Sequence, residues 1–65
     1  MNDHIGAVAG KVWEYISQKG EVNLSSIPRA LKEKAVYVNM GVGWLAREDK
    51  LLFTDKGGKI QVSVK

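Results

Sequence analysis

The sequence predicts one α+β domain, three helices closed by a C-terminal β-hairpin, and three observations carry that prediction. Apolar residues recur at helical spacing between Asp3 and Lys19. A second helical stripe, Val38, Gly41, Val42 and Leu45, runs into the helix-rich composition of "WLARED". Beyond it, the β-rich runs "LLFTD" and "KIQVSV" flank the turn sequence "DKGG". A chain of 65 residues has room for one domain, residues 1–65, near the size at which a single core just suffices.

The first helix follows from Ile5, Val8, Ala9, Val12 and Ile16, at i, i+3, i+4, i+7 and i+11, with Lys11, Glu14 and Gln18 opposite. Asn2 or Asp3 is available as its N-cap, and Gly20 is placed to end it. Trp13 and Tyr15 flank the stripe and widen it. Gly6 and Gly10 form a GxxxG, whose association role belongs to membrane helices, so close approach of a neighbouring element is expected there. In "EVNL", Val22 and Leu24 alternate with polar residues as in a short strand. Ser25 then caps a short second helix ending near "KEK". Pro28 falls in its first turn, where a missing N–H costs little. Ile27, Ala30 and Leu31 face inward there, and Arg29 and Lys32 outward.

From Ala35 two signals compete. "AVYV" is β-branched and aromatic, strand-like by propensity. The stripe of Val38, Gly41, Val42 and Leu45 has the helical period, and it decides for a third helix from about Ala35 to Asp49. In the hairpin, Ile60, Val62 and Val64 share one face and Gln61 and Ser63 the other, with glycines between the strands able to take positive φ. The order is α-β-α-α-β-β. Two helices joined by a tight turn and followed by a two-stranded ribbon make a winged helix-turn-helix.

"GWLAREDKL" resembles the end of the recognition helix and the start of the wing in winged helix-turn-helix domains. Together with "AGKVWEYI", it makes nearly the whole chain similar to a family of small, stand-alone bacterial winged-helix domains of uncharacterised function. The resemblance implies the fold and a DNA-binding ancestry, and it brings no ligand, substrate or site residue with it. The link between the second and third helices departs from the pattern by offering no N-cap residue.

Composition narrows the function classes. Without cysteine there are no disulfides, thiolate zinc sites or cysteine nucleophiles, which fits a reducing, cytoplasmic setting. No segment is long and apolar enough for a membrane span, and no signal peptide is visible. The net charge of +3 is uneven: Met1 to Ile27 holds two bases and three acids, and Pro28 to Lys65 holds eight bases and four acids. A polyanion should therefore meet the second half. His4 is the single histidine and reads as a solvated end residue. Neither a metal cluster nor a phosphate-cradling loop is evident, so no enzyme activity, metal or cofactor is expected. Gly41-x-Gly43-x-x-Ala46 has the form of a dinucleotide fingerprint. Too few residues separate Gly43 from the next strand for the crossover helix that such a site needs.

Double-stranded DNA is the partner this pattern suggests. The outward face of the third helix carries Val36, Asn39, Met40, Gly43 and Arg47, with Asn39 suited to an adenine edge and Arg47 to guanine or phosphate. Gly43 on that face either admits a nucleic-acid backbone or is simply tolerated. Lys32 and Lys34 lie by the turn, and Lys56 and Lys59 flank the wing tip, all placed for phosphate or the minor groove. One base on the reading face is sparse for a DNA reader. The rival is a homodimer or other protein partner docking on Tyr37 and Trp44, if these rings are exposed rather than completing the core, which is the expectation.

Overall fold

The computed structural model describes residues 2–65, with side chains from His4 onward. Helix α1 spans Asn2–Lys19, strand β1 Glu21–Asn23, helix α2 Ile27–Leu31, helix α3 Ala35–Arg47, and strands β2 Leu51–Lys56 and β3 Lys59–Val64 form the hairpin. The α-β-α-α-β-β order and the three helices are as the sequence predicts. The expected cap of α1 by Asn2 or Asp3 lies outside the described side chains. Its other end behaves as expected: Gly20 takes φ +89° and its N–H donates to the Ile16 carbonyl at 2.8 Å.

The three strands form one antiparallel sheet in the order β1-β3-β2, so β3, last in the chain, runs down the middle. Val22 faces Val62 across one ladder, and Leu51 faces Val64 across the other. Gly57 and Gly58 both have positive φ, +60° and +87°, which makes the hairpin a two-residue type I′ turn matched to the twist of its strands. Asp55 Oδ1 accepts from the Gly58 N–H at 3.1 Å and pins it. Val8, Ala9, Val12 and Ile16 of α1, Ile27 of α2, Val38, Val42 and Leu45 of α3, and Val22, Leu51 and Val62 of the sheet fill a single core.

Several local expectations are corrected. Leu24 is not in the strand: Leu24–Ser26 form a 3₁₀ turn. Its cap is Asn23, whose Oδ1 accepts from the Ser25 N–H at 3.1 Å and from the Ser25 hydroxyl at 2.9 Å, so Ser25 is the capped residue and not the cap. Ala30 is exposed, because α2 makes barely more than one turn and Ile27 and Leu31 already use its inner side. Trp13 is 44% exposed and does not widen the buried stripe, whereas Tyr15 packs against it. The glycines of the GxxxG pack against no other element: among the described residues nothing outside their own helical backbone comes within 4 Å of the place a Cβ would take at Gly6 or Gly10.

A close approach is made at Gly41, on the buried stripe. A Cβ there would sit 3.1 Å from both Cα and N of Ala9, so α3 crosses α1 with backbone nearly on backbone. A glycine inside a helix costs about 1 kcal/mol relative to alanine, and this contact is what offsets it.

Candidate nucleic-acid interface

Helix α3 is held by its inner side and aims the rest outward. Val38, Gly41, Val42 and Leu45 are buried, and Val36, Asn39, Met40, Gly43 and Arg47 are exposed, the split that the 3.6-residue period requires. Both helices of the helix-turn-helix are closed at their C-termini by left-handed residues that are not glycine. At Lys32, φ is +56°; its N–H donates to the Arg29 carbonyl and the Glu33 N–H to the Pro28 carbonyl, at 3.3 and 3.0 Å. At Asp49, φ is +60°; its N–H donates to Ala46 and the Lys50 N–H to Leu45, both at 3.0 Å. Each pair of bonds is a Schellman closure. The second one ends α3 at Arg47, two residues before the sequence expectation, and turns the chain straight into β2.

Lys34 precedes α3 in an extended conformation and makes no side-chain cap bond, as the lack of a capping residue implies. Its carbonyl accepts from the N–H groups of Tyr37 and Val38, both at 3.1 Å. Lys32 and Lys34 thus sit on the turn, exposed. Lys56 and Lys59 are cross-strand partners beside the hairpin tip. Like charges in that position repel, and Lys56 reaches over the outer face of the sheet to Glu21 at 2.8 Å. Of the two wing lysines, Lys56 has an acidic partner and Lys59 has none among the described residues.

Two further ion pairs are formed, Lys11 with Glu33 at 2.8 Å and Lys65 with Asp49 at 2.6 Å, and His4 Nε2 lies 3.8 Å from Glu33 Oε1. Asp49 is thus tied to the C-terminal strand rather than merely solvated. The Lys11 hydrogen bond holds the Glu33 carboxyl below its usual pKa; partial burial opposes this, and the Lys11 and His4 charges add to it. Arg29, Lys32, Lys34, Arg47 and Lys59 make no ion pair among the described residues. Arg29 was not among the sequence candidates; its place one turn before Lys32 was the signal.

The two aromatic candidates separate. Tyr37 is half-buried, and the ring of His4, exposed as expected, lies edge-on to it at 4.7 Å. Trp44 is 47% exposed, against the expectation that it completes the core. It shares an open depression of about 610 Å³ with Ile5, Met40, Gly43, Arg47 and Glu48, between the start of α1 and the outer side of α3. No group of acidic, histidine or cysteine side chains that could hold a metal occurs among the described residues, and no described helix is long and apolar enough to cross a membrane.

An α-β-α-α-β-β chain whose third helix is exposed beside a β-ribbon is a winged helix-turn-helix protein. Residues 1–64 match the family model described as winged helix-turn-helix domain (DUF2582), and the chain belongs to that family. It is 36% identical over 64 residues to the uncharacterized protein MJ1608 of Methanocaldococcus jannaschii, covering 94% of this chain and 90% of that one. It also resembles the solution NMR structure of protein BT2368 from Bacteroides thetaiotaomicron, with a TM-score of 0.86 and 31% identity over 98% of this chain and 79% of the other.

Proposed function

We propose that this is a non-enzymatic domain that binds duplex DNA mainly through its phosphates, in the cytoplasm, as a helper of transcription regulation. One observation carries the reading: Arg29, Lys32, Lys34, Arg47 and Lys59 are exposed on α2, the turn, α3 and the wing, and none of them pairs with an acid among the described residues. In the pose this supports, α3 enters the major groove. Asn39 meets an adenine edge, Arg47 a guanine or a phosphate, and Val36 and Met40 contact thymine methyls, while Gly43 lets the backbone come close. Lys32 and Lys34 take phosphates at one end, and Lys59, with Lys56 once it leaves Glu21, takes them at the wing.

The test is a salt titration with a generic duplex. Each phosphate contact contributes about 0.9 to the slope of log K against log salt, so contacts from Lys32, Lys34, Arg47, Lys56 and Lys59 give a slope of about −4.5. Replacing Lys34 and Lys59 together by alanine should flatten it by about 1.8 units. A domain that does not bind at low salt, or whose slope ignores these changes, is not a DNA-binding protein of this kind.

A second reading, docking of a protein partner, is favoured by the exposure of Val36, Met40 and Trp44 on the same helix.

A further inference from the structure

We propose that the outer row of α3 is a self-association face, on which α3 of a second copy lies antiparallel, and that DNA and the second copy compete for it. Val36, Met40 and Trp44, at i, i+4 and i+8, are 53%, 44% and 47% exposed and form one apolar ridge extended by Ile5. Monomeric domains seldom leave such a continuous patch in water. Gly43 lies in its middle with nothing within 4 Å of a Cβ position, so a second helix can come as near on the outside as α1 comes to Gly41 on the inside.

Charge fixes the occupant and its direction. Lys34 at the start of α3 and Glu48 just past its end make no ion pair in their own chain among the described residues. A second copy laid antiparallel about a two-fold axis brings each Lys34 beside the other copy's Glu48, twice, and sets Met40 of one against Gly43 and Trp44 of the other. The parallel arrangement instead stacks Lys34 on Lys34 and Arg47 on Arg47. Antiparallel helices also align their dipoles favourably. One helix pair is a small interface, so the association is weak and readily exchanged.

Sedimentation velocity without DNA, from low micromolar to about millimolar protein, tests the proposal over the range expected of so small a contact. The apparent mass should climb from one chain toward two. Met40→Ser should weaken association by about tenfold, the loss of roughly 1.4 kcal/mol. Lys34→Glu and Glu48→Lys should each weaken it, and the double variant should recover it. All three positions are exposed, and circular dichroism verifies that the variants stay folded. Adding duplex DNA to the associated protein should return it to one chain per binding site. A single-chain mass throughout, association indifferent to Met40→Ser, or a double variant that fails to recover overturns the proposal. So does DNA that binds without dissociating the pair. The salt titration of the DNA reading is run below the associating concentration, so either idea can fail alone.

Discussion

The inner and outer sides of α3 carry similar residues under opposite rules. Inside, Val38, Gly41, Val42 and Leu45 are fixed by contact with α1 and the sheet; outside, Val36, Met40, Gly43 and Trp44 are equally apolar and stay exposed. The difference teaches that apolar content on a helix does not mark its buried side. Only the phase of the stripe relative to the rest of the fold does.

Substitutions on the two sides should sharpen that contrast. The largest effect is expected from Leu45→Ala, which leaves a cavity in the core and should lose about 2–5 kcal/mol in denaturant unfolding. Met40→Ala on the outside should stay within about 0.5 kcal/mol at concentrations where the chain is alone. A large loss there would mean that the outer side is packed after all.

Next come the two glycines. Gly41→Ala gains about 1 kcal/mol of helix propensity and forces a methyl to 3.1 Å from the Ala9 backbone, an overpacking that typically costs about 1–3 kcal/mol. The expected sum is a loss, read as a lower melting temperature. Gly43→Ala meets no neighbour and should raise stability by up to about 1 kcal/mol. Equal responses from the two would erase the distinction between the sides.

Lys32→Gly removes the left-handed strain of a side-chain-bearing residue and should stabilise by about 1 kcal/mol. If Lys32 meets phosphate, the same change should cost DNA affinity. A gain in stability together with an unchanged salt slope would leave Lys32 as a purely structural turn residue.

The smallest effect is the pH dependence of the clamp between α1 and the turn. Because the Lys11 hydrogen bond lowers the folded pKa of Glu33 below its unfolded value near 4.5, the contribution is present in full above that value. It is lost as pH falls through the depressed folded pKa. Lys11→Met should flatten the stability profile below about pH 4.5 and leave it unaltered in shape near neutrality. An unchanged acid limb would show that the pair contributes nothing, as exposed pairs often do.

The fold was legible in the sequence because its signals are periodic. The stripe of α1, the stripe of α3 and the alternation of β3 each specify an element, and "DKGG" specifies the turn. What escaped lay in chemistry that has no period. Asn23 caps a 3₁₀ turn that the sequence did not announce, its side chain reaching two residues ahead, and α2 starts from Ser26 without a side-chain cap where Ser25 was expected. Asp49 ended α3 early by adopting a left-handed conformation usually left to glycine. Trp44 read as core because large apolar rings usually are, yet it falls on the outer side of α3, out of phase with the buried Val38, Gly41, Val42 and Leu45. Of the candidate interface, the exposed face of α3 was readable from phase alone. That Lys56 is engaged and Lys59 is not depended on Glu21, thirty-five residues away in sequence.

The contact between Ala9 and Gly41 sets how much of α3 is open to revision. Since the two backbones nearly meet, the helix is seated by four inward positions and can neither roll nor lift without losing them. Apart from Tyr37, which packs against the core's edge, its remaining positions are free of that seat, so new recognition surfaces can be grafted onto the rod, residue by residue, while the scaffold beneath keeps its shape.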